Sequence, residues 1–480
     1  MKTIMNLRTV IVLFLSFVTT LTVFAQRREV HILSTNDMHA ELDRMPQLGG
    51  IADSLRALYP QLLVLSGGDN RTGNPLNDMY KPSGYPMVTL MNQIGFNASA
   101  LGNHEFDMGS LPQTISLSNF RYLCANIHAD DTTGIRTVPY QIFDVEGVKV
   151  GIIGVVQVGV LGRPDTHPDN LHGITFEKPE EVVGRYQWLR SQCDVVMLLS
   201  HAGDETDYKM AERYGWLDLI VGGHTHTQLK ADEPLHNGVL VTQNKHKLQQ
   251  DVTHITLTVD SGRVVEKHAE YISVAATKQK SEIVDVMVNY YSNNPSYEQV
   301  IAQAAKPFET RREIGSMFCD ALLSETNADL ALMNYRGIRV NHLPAGNITV
   351  GNVLEMDPFG NHAVIMKMKG KDLQELLAKY SRMETYRFPH LGGFTAEMTL
   401  DKENSTLIKD IKLMTMEGKC LNLKKTYNVV TNSYLAAFCR ETLGITEMET
   451  VNRYTADMMI HFLTQMESVD YQGVNRITFK

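Results

Sequence analysis

Cysteine is scarce: five residues, Cys124, Cys193, Cys319, Cys420 and Cys439, widely spaced and odd in number, serve a chain of 480. With no Cys-x-x-Cys pair they build neither a disulfide framework nor a thiolate metal site, and beside apolar neighbours they read as small buried side chains. Proline is limited to 16 residues, and no short-period repeat or low-complexity segment follows the amino-terminal leader, so disorder over most of the length is excluded. No long Lys/Arg block interrupts a chain of formal charge -9, which leaves a nucleic-acid duplex without compositional support as a partner. No feature of the sequence sets an oligomeric state.

The one membrane-like stretch is at the start. Lys2 and Arg8 precede an apolar run at 10–18 and a small-residue ending, Val23-Phe24-Ala25, before Gln26. An uncleaved anchor needs about 20 mainly apolar residues. Here the run is short and Thr19, Thr20 and Thr22 follow it, so residues 1–25 read as a cleaved secretory signal. A periplasmic or secreted product without stable membrane insertion is the expectation.

With 43% hydrophobic and 21% charged residues there is ample material for a core. From 29 to 271, β-rich runs (HILST, LLVLSG, VKVGIIGVV, DVVMLLS, LDLIVGG, VLVTQ) alternate with stretches at 50–58, 87–94 and 180–189 whose apolar spacing suits helices. That pattern predicts an α/β layer fold with buried strands over 26–274. Residues 275–310 read as a helical linker, periodic over 283–291 and broken at Asn293-Asn294-Pro295. From 311 to 480 a second set of helix and strand candidates is long enough for its own core.

The informative residues fall where predicted strands end. Asp37 and His39 follow the first strand and Asp69 the second; GNHEFD supplies Asn103, His104 and Asp107; LLSH supplies His201; GGHTH supplies His224 and His226. Beyond the carboxyl ends of strands in open α/β folds lies the crevice where ligands bind. Carboxylates, imidazoles and an amide oxygen suit zinc, manganese or iron, and seven such donors exceed one tetrahedral ion. Two divalent metal ions fit better, with a carboxylate such as Asp69 able to bridge them, and such a pair suits phosphoester hydrolysis.

The ordered set Asp-x-His, Gly-Asp, Gly-Asn-His-Glu, strand-terminal His and Gly-His-x-His resembles the calcineurin-like metallophosphoesterase superfamily. The resemblance implies Asp37, His39 and His226 on one metal, Asn103, His201 and His224 on the other, and Asp69 between them. It implies His104 as an unligated catalytic imidazole oriented by Asp107, and attack on phosphorus by metal-activated hydroxide without a phosphoenzyme. The fold it implies is a four-layer sandwich followed by a smaller α/β domain.

STNDMHAELDRMPQLGGIA, GNHEFDMG and the large carboxyl-terminal region narrow the resemblance to secreted 5'-nucleotidases and UDP-sugar hydrolases. In that family an Asn-Gly-Gly-Gly-Ile-Arg stretch contacts base and phosphate. Here it reads Asn334-Tyr335-Arg336-Gly337-Ile338-Arg339, so Asn334 and Arg339 are the implied contacts while two glycines are replaced. Arg311 or Arg312 is the candidate for a further phosphate arginine, and Phe388 for the first base-stacking ring. The family's second stacking ring has no counterpart in motif, with Tyr434 or Phe438 as stand-ins. Pro358-Phe359-Gly360 reads as structural.

The expected activity is phosphate release from nucleoside monophosphates in nucleotide catabolism. The alternatives are 2',3'-cyclic nucleotide phosphodiesterase with 3'-nucleotidase action, UDP-sugar hydrolysis and, outside enzymes, a nucleotide-binding protein.

Overall fold

The computed structural model describes residues 27–480 except 233, 384–386 and 402–407. The expected secretory signal at 1–25 lies outside the described residues. Among the described residues no helix is long and apolar enough to cross a membrane.

Two sheets form the heart of the first half. One runs in the order Arg263–Ser273, Asp251–Asp260, Arg28–Thr35, Leu63–Ser66, Ala98–Ala100, Arg121–Leu123, and the other Leu240–Thr242, Leu219–Val221, Val195–His201, Val148–Val156, Tyr140–Val145. Successive side chains of a strand point to opposite faces, so a sheet covered on both sides needs near-continuous apolar runs. Ile32, Leu65, Met197 and Leu199 meet between the sheets. Their neighbours Leu33 and Val64 face outward, under the helices Met45–Leu58, Tyr85–Ile94 and Glu282–Ser292. Val196 and Leu198 face the helix Asp204–Arg213 on the other side. The result is four layers, helix, sheet, sheet and helix.

The central strands are parallel: Ile32 stands opposite Leu63, and Ile152 opposite Met197. Their carboxyl ends therefore open on one edge of the sandwich, with Asp37, Asp69, Asn103, His201 and His224 in the loops or strand end there. Residues 180–189 do not form one α-helix. A single α turn, Pro179–Val182, passes into the 3₁₀ segment Val183–Ser191, where β-branched Val182 and Val183 and then Gly184 weaken the α form.

The second half has a five-stranded mixed sheet in the order His390–Gly392, Leu330–Met333, Thr426–Asn432, His362–Lys369, Met448–Tyr454. Ala331 and Met333 face the helices Arg311–Ser324 and Thr455–Thr464; Leu330 and Leu332 face Gly370–Met383 and Ser433–Leu443. The helix Arg311–Ser324 starts at a reciprocal cap. The main-chain N–H of Thr310 donates to Glu313 Oε2 at 2.9 Å, and that of Glu313 to Thr310 Oγ1 at 3.4 Å.

Residues 275–310 divide between the two halves. Val284 and Val288 of Glu282–Ser292 are buried in the first core, whereas Val300–Ala304 pairs with Gly346–Thr349 and Ser468–Val469 in the second half. All five cysteines are free thiols, and Cys420 is exposed, not buried as its neighbours suggested.

Candidate active site

The loops that deliver the polar groups are locked to one another before any side chain is considered. The N–H of Asp37 donates to Gly68 O at 2.9 Å, that of His39 to Asp69 O at 3.0 Å, and that of Ala40 to Asn70 O at 2.8 Å. Asp37, His39, Asp69, His224 and His226 all have left-handed backbone, with φ of 49, 46, 52, 83 and 60°. Such φ values in non-glycine residues cost on the order of 1 kcal/mol or more each and concentrate at functional sites. Gly102 permits the closest approach, since a Cβ there would lie 2.1 Å from Asp69 Oδ1.

The donor atoms converge. His226 Nε2 lies 3.1 Å from His39 Nε2 and 3.3 Å from Asp37 Oδ1; His201 Nε2 lies 3.1 Å from Asp69 Oδ2 and 3.9 Å from Asp37 Oδ1. Asn103 Oδ1 is 3.0 Å from His224 Nδ1. Among the described residues three groups could hold a metal ion: Asp37, His39 and His226; His39, Asp69 and His104; and Asp37, Asp69 and His201. Asp69 belongs to two of them, and its Oδ2 is 3.9 Å from His39 Nε2.

Hydrogen bonding behind the rings fixes which nitrogen faces inward. His201 Nδ1 donates to Gly67 O at 2.7 Å and His39 Nδ1 to Thr72 O at 3.0 Å, which directs both Nε2 lone pairs at the site. Among the described residues, the buried His201 Nε2 has no directed hydrogen bond. An orphaned imidazole nitrogen beside two carboxylates is what a divalent cation requires.

The electrostatics agree. Burial raises the Asp69 carboxyl, but His201 and His104 outweigh it and hold it well below the usual range. Burial lowers His201, yet Asp69 and Asp37 carry it up to about 10, a proton that a cation would displace. Burial, and then the neighbouring His201, push His224 down to about 3, leaving its ring neutral.

His104 Nδ1 donates to Asp107 Oδ2 at 2.7 Å. The pair forms because the turn at 103–109 kinks: Asp107 is extended at ψ 151° and Met108 left-handed at φ 61°. Burial lowers the imidazole, but Asp69 and Asp107 together raise it above its ordinary value. Its Nε2 lies 4.0 Å from Asp69 Oδ2, on the side of the donor cluster.

The second half supplies the opposite wall. Arg339 is half-buried, with one terminal nitrogen 3.3 Å from both ring nitrogens of His39 and its guanidinium 5.7 Å from the Phe359 ring centre. Phe359 stacks on His104 at 5.7 Å and 25°. A cavity of about 520 Å³ lies between the halves, bounded by Asp69, Asn103, His104, His224 and His226 on one side and by Asn334, Arg336, Arg339 and Arg387 on the other. Phe359, Tyr380, Tyr434, Phe438 and Tyr454 also line it.

Residues 30–228 match the calcineurin-like phosphoesterase family, and residues 292–440 the 5'-nucleotidase carboxyl-terminal domain. The chain belongs to the calcineurin-like phosphoesterases that carry a 5'-nucleotidase carboxyl-terminal domain. It is similar to a 5'-nucleotidase of Vibrio cholerae, 28% identical over 485 residues that cover 85% of this chain and 84% of that protein. It is also similar to the trifunctional nucleotide phosphoesterase protein YfkN of Bacillus subtilis, 24% identical over 85% of this chain; the match spans only 32% of that longer protein. The crystal structure of a 5'-nucleotidase precursor from Thermus thermophilus superposes with a TM-score of 0.81 at 25% identity, covering 94% of this chain and 99% of that one. A member of this phosphoesterase family is a metal-dependent phosphoric ester hydrolase, which sets aside a non-catalytic nucleotide-binding protein.

Within this phosphoesterase all nine first-domain positions meet, whereas the substrate positions divide. Asn334 and Arg339 line the cavity. Phe388 does not: it is 0% exposed, in the core with Leu330, Leu376 and Phe394, so no face of its ring is left for a base. Arg312 donates to the main-chain oxygens of Phe388 and Pro389 at 2.8 and 3.2 Å and lies over Tyr335, while Arg311 donates to Asn341. Neither is among the residues lining the cavity. Phe359, expected to be structural, faces the dyad instead.

Several residues were missed. Glu105 accepts from the main-chain N–H of Asp69, Asn70 and Gly102 at 2.9, 2.8 and 2.6 Å and so clamps two ligand loops together. Its place inside Gly-Asn-His-Glu was the available signal. Asn36 donates to Asp37 Oδ2 at 2.6 Å, and His246 stacks on His226 at 4.4 Å. Nothing in their sequence context marks either.

Proposed function

We propose that this hydrolase is an exported 5'-nucleotidase that releases phosphate from nucleoside monophosphates with two divalent metal ions, zinc, manganese or iron. Asp37, His39 and His226 hold one, Asn103, His201 and His224 the other, and Asp69 lies between. When bound, the ions supply Lewis acidity that activates water and neutralises phosphoryl oxygens. An export signal at 1–25, a catalytic domain over 26–274, the 275–310 connection and a substrate domain over 311–480 belong to the same reading.

The observation that carries it is the cleft between the halves, with a hard-donor cluster on one wall and a guanidinium and aromatic rings on the other. His104, held by Asp107, presents Nε2 toward the cluster and delivers a proton to the departing alkoxide. Arg339, placed on His39, pairs with phosphoryl oxygens, for which its planar donors are suited. Asn334 and the faces of Tyr434 and Phe438 receive the nucleoside.

A second reading, UDP-sugar hydrolysis, draws support from Arg336 and Arg387, two guanidinium groups on the same cavity that suit a second phosphoryl group. Phosphate release from AMP, 3'-AMP, 2',3'-cyclic AMP and UDP-glucose by metal-loaded protein separates them. The proposal expects the highest kcat/KM on AMP. Preference for UDP-glucose supports the second reading, and turnover confined to 3'-AMP or the cyclic ester overturns both.

A further inference from the structure

The segment 157–170 leaves the first domain's strand Val148–Val156 and passes along the cleft. Near its middle, Thr166, 3% exposed, donates from Oγ1 to Asp107 Oδ1 at 2.8 Å. The other oxygen of that carboxylate already accepts from His104. Both oxygens of Asp107 are thereby fixed, and with them the plane of the His104 ring. One residue earlier, the main-chain oxygen of Asp165 accepts from Asn103 Nδ2 at 3.1 Å, which turns Asn103 Oδ1 toward His224.

The same segment meets the other domain at two points of one helix. Arg163 forms an ion pair with Glu441 at 2.7 Å, half-buried on both sides, and the His167 ring lies near the main chain of Ser433. Ser433 and Glu441 lie at opposite ends of the helix Ser433–Leu443, whose Tyr434 and Phe438 line the cavity. Main-chain bonds keep the connection short and stiff: Gly159 N–H donates to Arg163 O at 2.9 Å and Thr166 N–H to Pro164 O at 2.8 Å.

We propose that Thr166 is a positioning residue for the His104–Asp107 dyad, and that segment 157–170 couples the seating of helix Ser433–Leu443 to the geometry of that dyad. The proposal rests on the reading above, in which the dyad faces the reacting phosphate and the second domain holds the leaving group. A substrate that seats the helix also sets the dyad, and a displaced helix loosens it.

The test is a double-mutant cycle with Thr166→Val and Glu441→Gln, assayed on AMP and on p-nitrophenyl phosphate. Removing a hydrogen bond behind an active-site group costs about 10-fold or more. Thr166→Val should therefore lower kcat about 10-fold with KM and metal content near wild type, and Thr166→Ser should restore it. Glu441→Gln should lower kcat on AMP in the wild-type background and have no further effect in Thr166→Val. Multiplying effects, or a Thr166→Ser variant as slow as Thr166→Val, overturn the proposal. Thr166→Ala gives the same comparison should the valine variant not fold. Wild-type protein that hydrolyses p-nitrophenyl phosphate but not AMP defeats the nucleotidase reading alone, because the Thr166 comparison is still read on the first substrate.

Discussion

Asp37 and Asp69 in the first half and Asp357 in the second are buried to opposite effect. In the first, Asp37 and Asp69 are enclosed yet held below the ordinary carboxylate range, because imidazoles outweigh burial. In the second, Asp357 is equally enclosed, and burial carries it up to about 6 despite hydrogen bonds from Thr455 and the Phe359 main chain. One arrangement keeps negative charge ready for cations; the other favours a neutral acid within a packed core. Imidazoles decide the first case and burial the second.

The sharpest test of that contrast is Asp69→Asn, or chelation of wild type. Either should depress phosphate release by about 10⁴-fold, the scale of several kcal/mol of transition-state charge stabilisation. Metal content measured in parallel should fall, and retained turnover would break the contrast. Next is His104→Ala, expected to lower kcat by about 10³-fold with metal content unchanged. Equal loss of metal would make His104 a ligand and not a proton donor.

In the second half the difference lies between two aromatic residues. Phe388→Ala should cost about 3–5 kcal/mol of stability in denaturant unfolding, as truncation of a core aromatic does, with little change in KM for the folded fraction. Tyr434→Ala should raise KM for AMP about 10-fold with a smaller stability loss, since stacking on a base contributes about 1–3 kcal/mol. The reverse pattern would return Phe388 to the substrate.

The contrast also has a pH dependence. A carboxyl whose folded pKa exceeds its unfolded value near 4 binds its proton more tightly in the native state. Asp357 therefore favours folding below about pH 4, and this is lost as pH rises to about 6. Across that window it should remove roughly 2–3 kcal/mol, and Asp357→Asn should flatten this part of the stability curve. An unchanged slope would mean that the acid is ionised in the fold.

Legibility in the sequence follows the same division. The layered architecture was readable because buried parallel strands demand unbroken apolar runs such as VKVGIIGVV, which ends at the cleft. That Asp37, His39, Asp69, Asn103, His201, His224 and His226 come together was readable because each sits at a strand end or in the loop that follows, on one edge of the parallel strands. Phe388 misled because an aromatic ring packs in a core as readily as it stacks on a base, and only its neighbours decide. Glu105 and Thr166 act through hydrogen bonds to other parts of the chain, contacts that exist only after distant loops are placed.

The helix Glu282–Ser292 has a practical corollary for anyone cutting the gene. Leu48, Leu90 and Met91 share a cluster with Val284 and Val288, so an excised catalytic half that stopped at residue 274 would carry a raw oily flank. Such a fragment should be drawn past Ser292 if it is to stay in solution, even though that helix begins 56 residues after His226, the last proposed metal ligand.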